Sequence, residues 1–166
     1  MASNMYIKFD KIDGESTDKN HIKWIEILGW SHSFSQPTPP MSHRNSSGST
    51  LEKCHHSELT FSKYLDVATD DLLKTCWTGK QVETVKIECF RADGQTTNAI
   101  KYLMIDMLDV IITNLSISGG GGDIPVENLS LSYSKITYTY IDKKKADGTG
   151  ASNQPVSWDH ASNENS

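Results

Sequence analysis

The chain lacks any apolar run long enough to cross a membrane as a helix, since no window approaches ~18 apolar residues. Its first residues, MASNMYIKFD, show neither the basic start nor the apolar core of an export signal. Neither membrane insertion nor a signal peptide is therefore expected. A surplus of positive charge is also missing. Sixteen Lys and Arg against 21 Asp and Glu leave a formal net charge of −5, the wrong sign for a nucleic-acid surface. The short basic run Lys143–Lys145 reads as a solvated strand exit. Cysteine is scarce and odd in number. Cys54, Cys76 and Cys89 read as reduced, small hydrophobes rather than a disulfide framework.

Spaced metal-ligand pairs are missing too. Cys54-His55-His56 puts at most two ligands on one face of an extended chain, with no CxxC or HxxxH partner elsewhere. There is no G-x-S-x-G elbow, so Ser31-His32 is an isolated pair. Gly119–Gly122 precedes no helix, which rules out a phosphate loop. Asp106 and Asp109, three apart on a strand, are expected to face opposite ways. No catalytic residue, metal or cofactor is expected.

What is present is β-patterned. Met5–Phe9 reads as a first strand, and the polar stretch after it turns at Asp13-Gly14. Ile22–Phe34 reads as a long strand with Ile22, Trp24, Leu28, Trp30 and Phe34 on one face. Glu26, breaking that face between Ile25 and Ile27, signals a bulge or a two-sided environment. Residues 36–53, QPTPPMSHRNSSGSTLEK, hold three prolines and cannot continue a ladder. Leu59, Phe61 and Leu65 alternate with polar residues. A helix follows, with Thr69 as N-cap, Asp70 and Asp71 in the first turn, and an apolar stripe of Ala68, Leu72, Leu73, Cys76 and Trp77. Gly79 is its expected left-handed stop.

Val82–Arg91 and Ile100–Thr113 flank an Asp93-Gly94 turn. The second of these is apolar on both faces. Ile100, Tyr102, Met104, Leu108, Val110 and Ile112 lie on one side, and Leu103, Ile105, Met107 and Ile111 on the other. A second dry face in an antiparallel protein of this size needs cover, from the helix and from a neighbouring subunit. Leu129, Leu131 and Tyr133 alternate with serines, and the phase flips at Lys135 into Ile136, Tyr138 and Tyr140, as a bulge would cause. Val156–Asp159 is a last short strand, and 161–166 a frayed tail. The composition and patterning describe one mainly β domain over 1–166.

The order of these parts resembles the Hcp family, the haemolysin-coregulated proteins of the type VI secretion inner tube. It is carried by Asp13-Gly14-Glu15-Ser16, Gly29-Trp30-Ser31-His32, His56-Ser57, Lys63-Tyr64-Leu65-Asp66, the helix to Gly79, Phe90-Arg91-Ala92-Asp93-Gly94, and Ile136-Thr137-Tyr138-Thr139-Tyr140. The resemblance implies a small β-barrel of two antiparallel sheets, one flanking helix (about 69–78) and a long extended loop (about 36–53). It implies rings of about six protomers with closed symmetry that stack into a tube. It also implies export from the cytoplasm without a signal peptide, spike and sheath components as partners, and small effector proteins in the lumen.

The expected subunit or ring interface is the loop (Gln36, Pro37, Pro39, Pro40, Met41, His43, Arg44, Leu51) and the second apolar face (Leu103, Ile105, Met107, Ile111). The C-terminal toxin domain of some family members is not expected here. The competing readings are a phage tail-tube-like protein, a carbohydrate- or ligand-binding module using Trp24, Trp30 and Trp158, and a hydrolase using Ser31 and His32.

Overall fold

The computed structural model describes residues 4–38, 52–92, 99–141 and 155–165. The expected turn at Asp93-Gly94 and the polar stretch 142–154 lie outside them. The strands are β1 (Met5–Phe9), β2 (Ile25–Glu26), β3 (Gly29–Ser31), β4 (Phe34–Ser35), β5 (His55–His56), β6 (Leu59–Tyr64), β7 (Val82–Ala92), β8 (Ala99–Ser118), β9 (Val126–Ser132), β10 (Lys135–Tyr140) and β11 (Val156–Asp159). A helix, α1 (Thr69–Thr78), sits between β6 and β7. The main sheet runs β2-β1-β7-β8-β9-β6-β3, with β10 on β8 and β11 on β10, while β4 and β5 pair separately. Every pairing is antiparallel.

The 20-residue β8 joins the two halves of this sheet. Its first part lies between β7 and β10, and its last part pairs with β9. The inward face is Ile105 and Met107, then Val110 and Ile112, all buried. A regular strand cannot keep 107 and 110 on one side. Asp109 makes it possible by adopting φ 53°, which flips the phase. β7 flips at the same level, burying Val82 and then Val85 and Ile87. The two faces expected for this strand are therefore redistributed. Its outward face carries Met104, Asp106, Leu108 and Ile111.

The expectation of a closed barrel is corrected. The ladder ends at β2 on one side and β3 on the other, and these edges do not pair. They belong to one continuous segment that leaves one ladder and enters the other, so it cannot pair with itself. The crossing is stitched by Ile27 N–H to the Met5 carbonyl (3.0 Å) and Leu28 N–H to the Ser62 carbonyl (2.8 Å). The predicted long strand 22–34 is thus broken into β2, β3 and β4. Its buried residues are Ile25 and Ile27, while Ile22, Leu28 and Phe34 are exposed.

The helix has the expected bounds but a different start and a narrower dry face. Thr69 is not the N-cap. Its Oγ1 accepts the Asp66 N–H (3.2 Å), and Asp66 Oδ1 accepts the Ala68 N–H (3.0 Å). Gly79 ends the helix at φ 63° as predicted. Ala68, Leu72 and Thr75 are buried and Cys76 is half-buried, but Trp77 is 78% exposed. At 100° per residue, a position nine residues after Ala68 lies about 180° round the helix. Trp77 therefore points away from the protein, and α1 packs on β8 without it.

Gly14 shows a close approach rather than a turn alone. A Cβ there would meet the Trp24 carbonyl oxygen at 2.4 Å, and its N–H donates to the Lys23 carbonyl at 2.8 Å. Beneath α1, Lys63 and Glu127 are paired across β6 and β9 and fully buried. Lys63 Nζ lies 2.5 Å from Glu127 Oε2 and 2.8 Å from Asp66 Oδ1. Glu127 Oε1 has no hydrogen-bond partner among the described residues. A buried charge survives only when paired, so this cluster ties the sheet to the helix entry.

Candidate interaction surface

The two ends of the 36–53 loop are brought together by a short ladder, with Phe34 opposite His56 and Ser35 opposite His55. Ser57 N–H donates to the Ser33 carbonyl, and Ser33 N–H to Ser57 Oγ, both at 2.9 Å. Gln36 Nε2 donates to the Glu52 carbonyl across the same gap. Behind this root lies a cluster of rings. His32 Nε2 faces the Ser57 carbonyl at 3.0 Å, so it must carry the proton. Its Nδ1 then accepts the Tyr138 hydroxyl at 2.6 Å. The Tyr133 hydroxyl lies 2.9 Å from His56 Nδ1 and 3.0 Å from His32 Nε2. Phe34 packs against both imidazoles, and His160 and Trp158 close over His56.

Burial holds His32 below its ordinary pKa, against the raising effect of the Ser57 carbonyl, and the nearby His56 adds to the lowering. Burial and then His160 do the same to His56. Burial raises both phenols, Tyr138 to about 12, so both stay protonated and able to donate.

A second histidine is built the other way. His21 is 4% exposed, stacked on Tyr6 at 4.4 Å and edge-on to Phe90 and Trp24. Its Nδ1 meets Asp18 Oδ1 and its Nε2 meets Glu88 Oε2, each at 2.8 Å. Lys101 also holds Glu88, at 3.1 Å. The hydrogen bond from His21 keeps Asp18 below the usual carboxylate range. Burial works to raise Glu88, but the His21 and Lys101 contacts outweigh it and lower its pKa.

Of the expected interface residues, Gln36 and Pro37 stand at the loop root. Pro39, Pro40, Met41, His43, Arg44 and Leu51 lie outside the described residues. Ile105 and Met107 are corrected: both are 0% exposed inside the chain's own core and present nothing to a neighbour. Leu103 is half-buried against that core. Ile111 is exposed as expected, beside the exposed Leu108, because the flip at Asp109 turns it outward.

The same flip puts Asp106 and Asp109 on one face, contrary to expectation, yet they serve different partners. Asp106 faces Lys86 at 3.6 Å, and Asp109 accepts from Ser134 Oγ at 2.9 Å. Ser31 Oγ pairs with Thr60 Oγ1 at 2.6 Å, while both His32 nitrogens are engaged elsewhere. The serine and histidine of the hydrolase reading are thus not joined. Among the described residues no group of His, Cys, Asp or Glu is placed to hold a metal ion.

Two rows on the outward face of β3, β6, β9 and the end of β8 are polar and uncharged, bordered by the exposed Tyr64. Ser31, Thr60, Ser130 and Asn114 form one cross-strand row, and Gly29, Ser62, Asn128 and Ser116 the next. A shallow depression of about 320 Å³ lies over these rows, with Trp30 at its border. Trp24 and Trp158 do not line it, so the three tryptophans form no common ligand groove. Sequence reasoning missed the ring cluster. Tyr133 and Tyr138 carried only a strand parity, and nothing local in the sequence linked them to His32 or His56.

The fold is thus an antiparallel β-protein with a short ladder framing residues 36–53 and a neutral patch on one face. Residues 6–140 match the family model described as "Type VI secretion system effector, Hcp". The chain is 34% identical to Protein hcp1 of Pseudomonas aeruginosa over 149 residues, covering 89% of this chain and 88% of that protein. A solved type six secretion system protein superposes with a TM-score of 0.85 at 28% identity, over 99% of this chain and 100% of that one. Hcp1 of Salmonella typhimurium does so with a TM-score of 0.77 at 26% identity, covering both chains fully. This chain belongs to the Hcp family of type VI secretion proteins. That is a family of secreted tube proteins rather than of enzymes.

Proposed function

We propose that this chain is the subunit of a type VI inner tube, working as one unit over residues 1–166 without chemistry of its own. About six copies close into a ring, rings stack, and the stack leaves the cytoplasm through the apparatus. Spike and sheath components are its outer partners, and small effector proteins travel in the lumen. The observation that carries this reading is the neutral face built from the Ser31–Thr60–Ser130–Asn114 row and the row beside it. Four adjacent strands present short hydroxyl and amide side chains there. Such a wall stays wet and holds varied cargo without committing to one charge. The loop beyond Gln36 and the outward Leu108 and Ile111 supply contacts between subunits or rings.

The test is sedimentation and negative-stain imaging of the purified chain, followed by co-purification of a cognate effector. Rings of about six protomers are expected. Ser130→Trp should keep the rings and lose the effector. A stable monomer at every concentration refutes the ring, and undiminished effector capture by Ser130→Trp refutes the lumen assignment.

A further inference from the structure

The ring cluster at the loop root joins four separate parts of the chain. His32 lies between β3 and β4, His56 in β5, Tyr133 and Tyr138 at and after the end of β9, and Trp158 and His160 at the C-terminal strand. The ladder it backs has only two residue pairs, too few to persist unaided.

Both rings are held by hydroxyls and a backbone carbonyl, with no carboxylate on either among the described residues. His32 Nε2–H serves the Ser57 carbonyl, Tyr138 then donates to His32 Nδ1, and the Tyr133 hydroxyl lies 2.9 Å from His56 Nδ1. A proton added to His32 Nδ1 opposes the Tyr138 hydroxyl hydrogen. That hydroxyl must turn away, and a half-buried O–H loses its acceptor. Among the described residues, the ionisable groups facing the two rings are Tyr133, Tyr138, His160 and Cys54. No Asp or Glu among the described residues pairs with either ring, and the ion-paired histidine nitrogens there are those of His21.

We propose that the His32–Tyr133–His56 network is an acid-sensitive latch that holds the root of the 36–53 loop closed at neutral pH and releases it on mild acidification. Both imidazoles sit below their ordinary value of 6.5, because burial disfavours the charged ring. Protons therefore bind the opened form more readily, and the closed form weakens as the pH falls below about 6.5. Protonating one ring raises the cost for the other, since each faces a histidine. On the tube reading above, which this inference extends, the β4–β5 root beside a subunit or ring contact is held together at neutral pH. In an acidic compartment that pairing is lost while the main sheet remains intact.

The experiment is amide hydrogen exchange on the full, unassembled chain at about pH 7.5 and about pH 5, corrected for intrinsic rates. Residues 30–36 and 54–60 should lose protection by about tenfold at the lower pH, while residues 83–89 of β7 keep theirs. The double variant His32→Gln/His56→Gln keeps a donor and an acceptor at each site but cannot titrate, so its protection should not depend on pH. Uniform loss across all segments, or no loss at the root, overturns the latch. Should the double variant fail to fold, ring titration of the wild-type histidines by NMR decides the matter. Protonation of His32 and His56 at or above the ordinary histidine value overturns the proposal, and protonation below it supports the proposal. Because exchange is read without assembly, a chain that never forms rings refutes the tube and not the latch.

Discussion

His21 and His32 sit in the same protein, both in contact with aromatic rings, and are held by opposite kinds of partner. Each nitrogen of His21 meets a carboxylate oxygen at 2.8 Å, and its ring stacks on Tyr6. Those of His32 meet hydroxyls and a backbone carbonyl. The second arrangement suits a neutral ring, since burial holds His32 below its ordinary pKa. Residue type therefore says little about a histidine's surroundings here, and the partners differ completely. The positions differ too. The His21 network pins the first polar loop to β7, beside Gly14 packed against Trp24, whereas the His32 network pins the root of a long loop.

Five changes would break or sharpen this contrast. The largest effect is expected from the buried ion pair that sets the upper limit for an unpaired charge. Lys63→Met leaves Glu127 and Asp66 uncompensated and should cost about 3–5 kcal/mol in a denaturant titration. Adding Glu127→Leu should recover much of that loss, and a double variant as unstable as the single one would show that packing dominates. Next, His21→Ala removes a buried ring and strands Glu88 with Lys101 alone. It should cost about 3 kcal/mol at neutral pH, read by the same titration.

Tyr133→Phe deletes the hydroxyl shared by His32 and His56 and should cost about 1–2 kcal/mol. The loss should concentrate in the exchange of residues 54–60 rather than in β7. A smaller effect is the pH profile itself. The midpoint of thermal unfolding should fall by a few degrees as pH drops from about 7 to about 5. His32→Gln/His56→Gln should flatten that slope, because the two imidazoles with lowered pKa values are then gone. A slope unchanged in that double variant would assign the acid response to another network. The smallest effect belongs to Trp77→Lys, within about 0.5 kcal/mol of wild type. A larger loss would mean the outer face of α1 is covered in the isolated chain.

Much of the fold was legible because it obeys local rules. Alternation placed β1, β6, β7 and β9, and the helix bounds followed from Asp70, Asp71 and the left-handed Gly79. The errors occurred where one residue changes the phase of a whole segment. Asp109 at φ 53° exchanged the faces of β8, so Ile105 and Met107, expected at an interface, are core. No sequence rule reserves that conformation for an aspartate. Trp77 was placed in the dry stripe by residue type, although helix geometry sets it opposite Ala68. The surface was less legible than the fold. The loop residues Gln36 and Pro37 stand where expected, but the ring cluster joins positions up to 106 apart in the chain.

By itself the sequence determined the β-rich class, the helix and its stop, the acidic balance and the ordered motifs that mark the Hcp family. These depend on period, on composition and on side chains close together in the chain. Only the tertiary structure decided which face of β8 is dry, that the ladder stays open between β2 and β3, and which histidine meets carboxylates. Those outcomes depend on atoms brought together from distant positions. Protonation and burial are set by what lies within a few ångströms, and a linear pattern does not contain that distance.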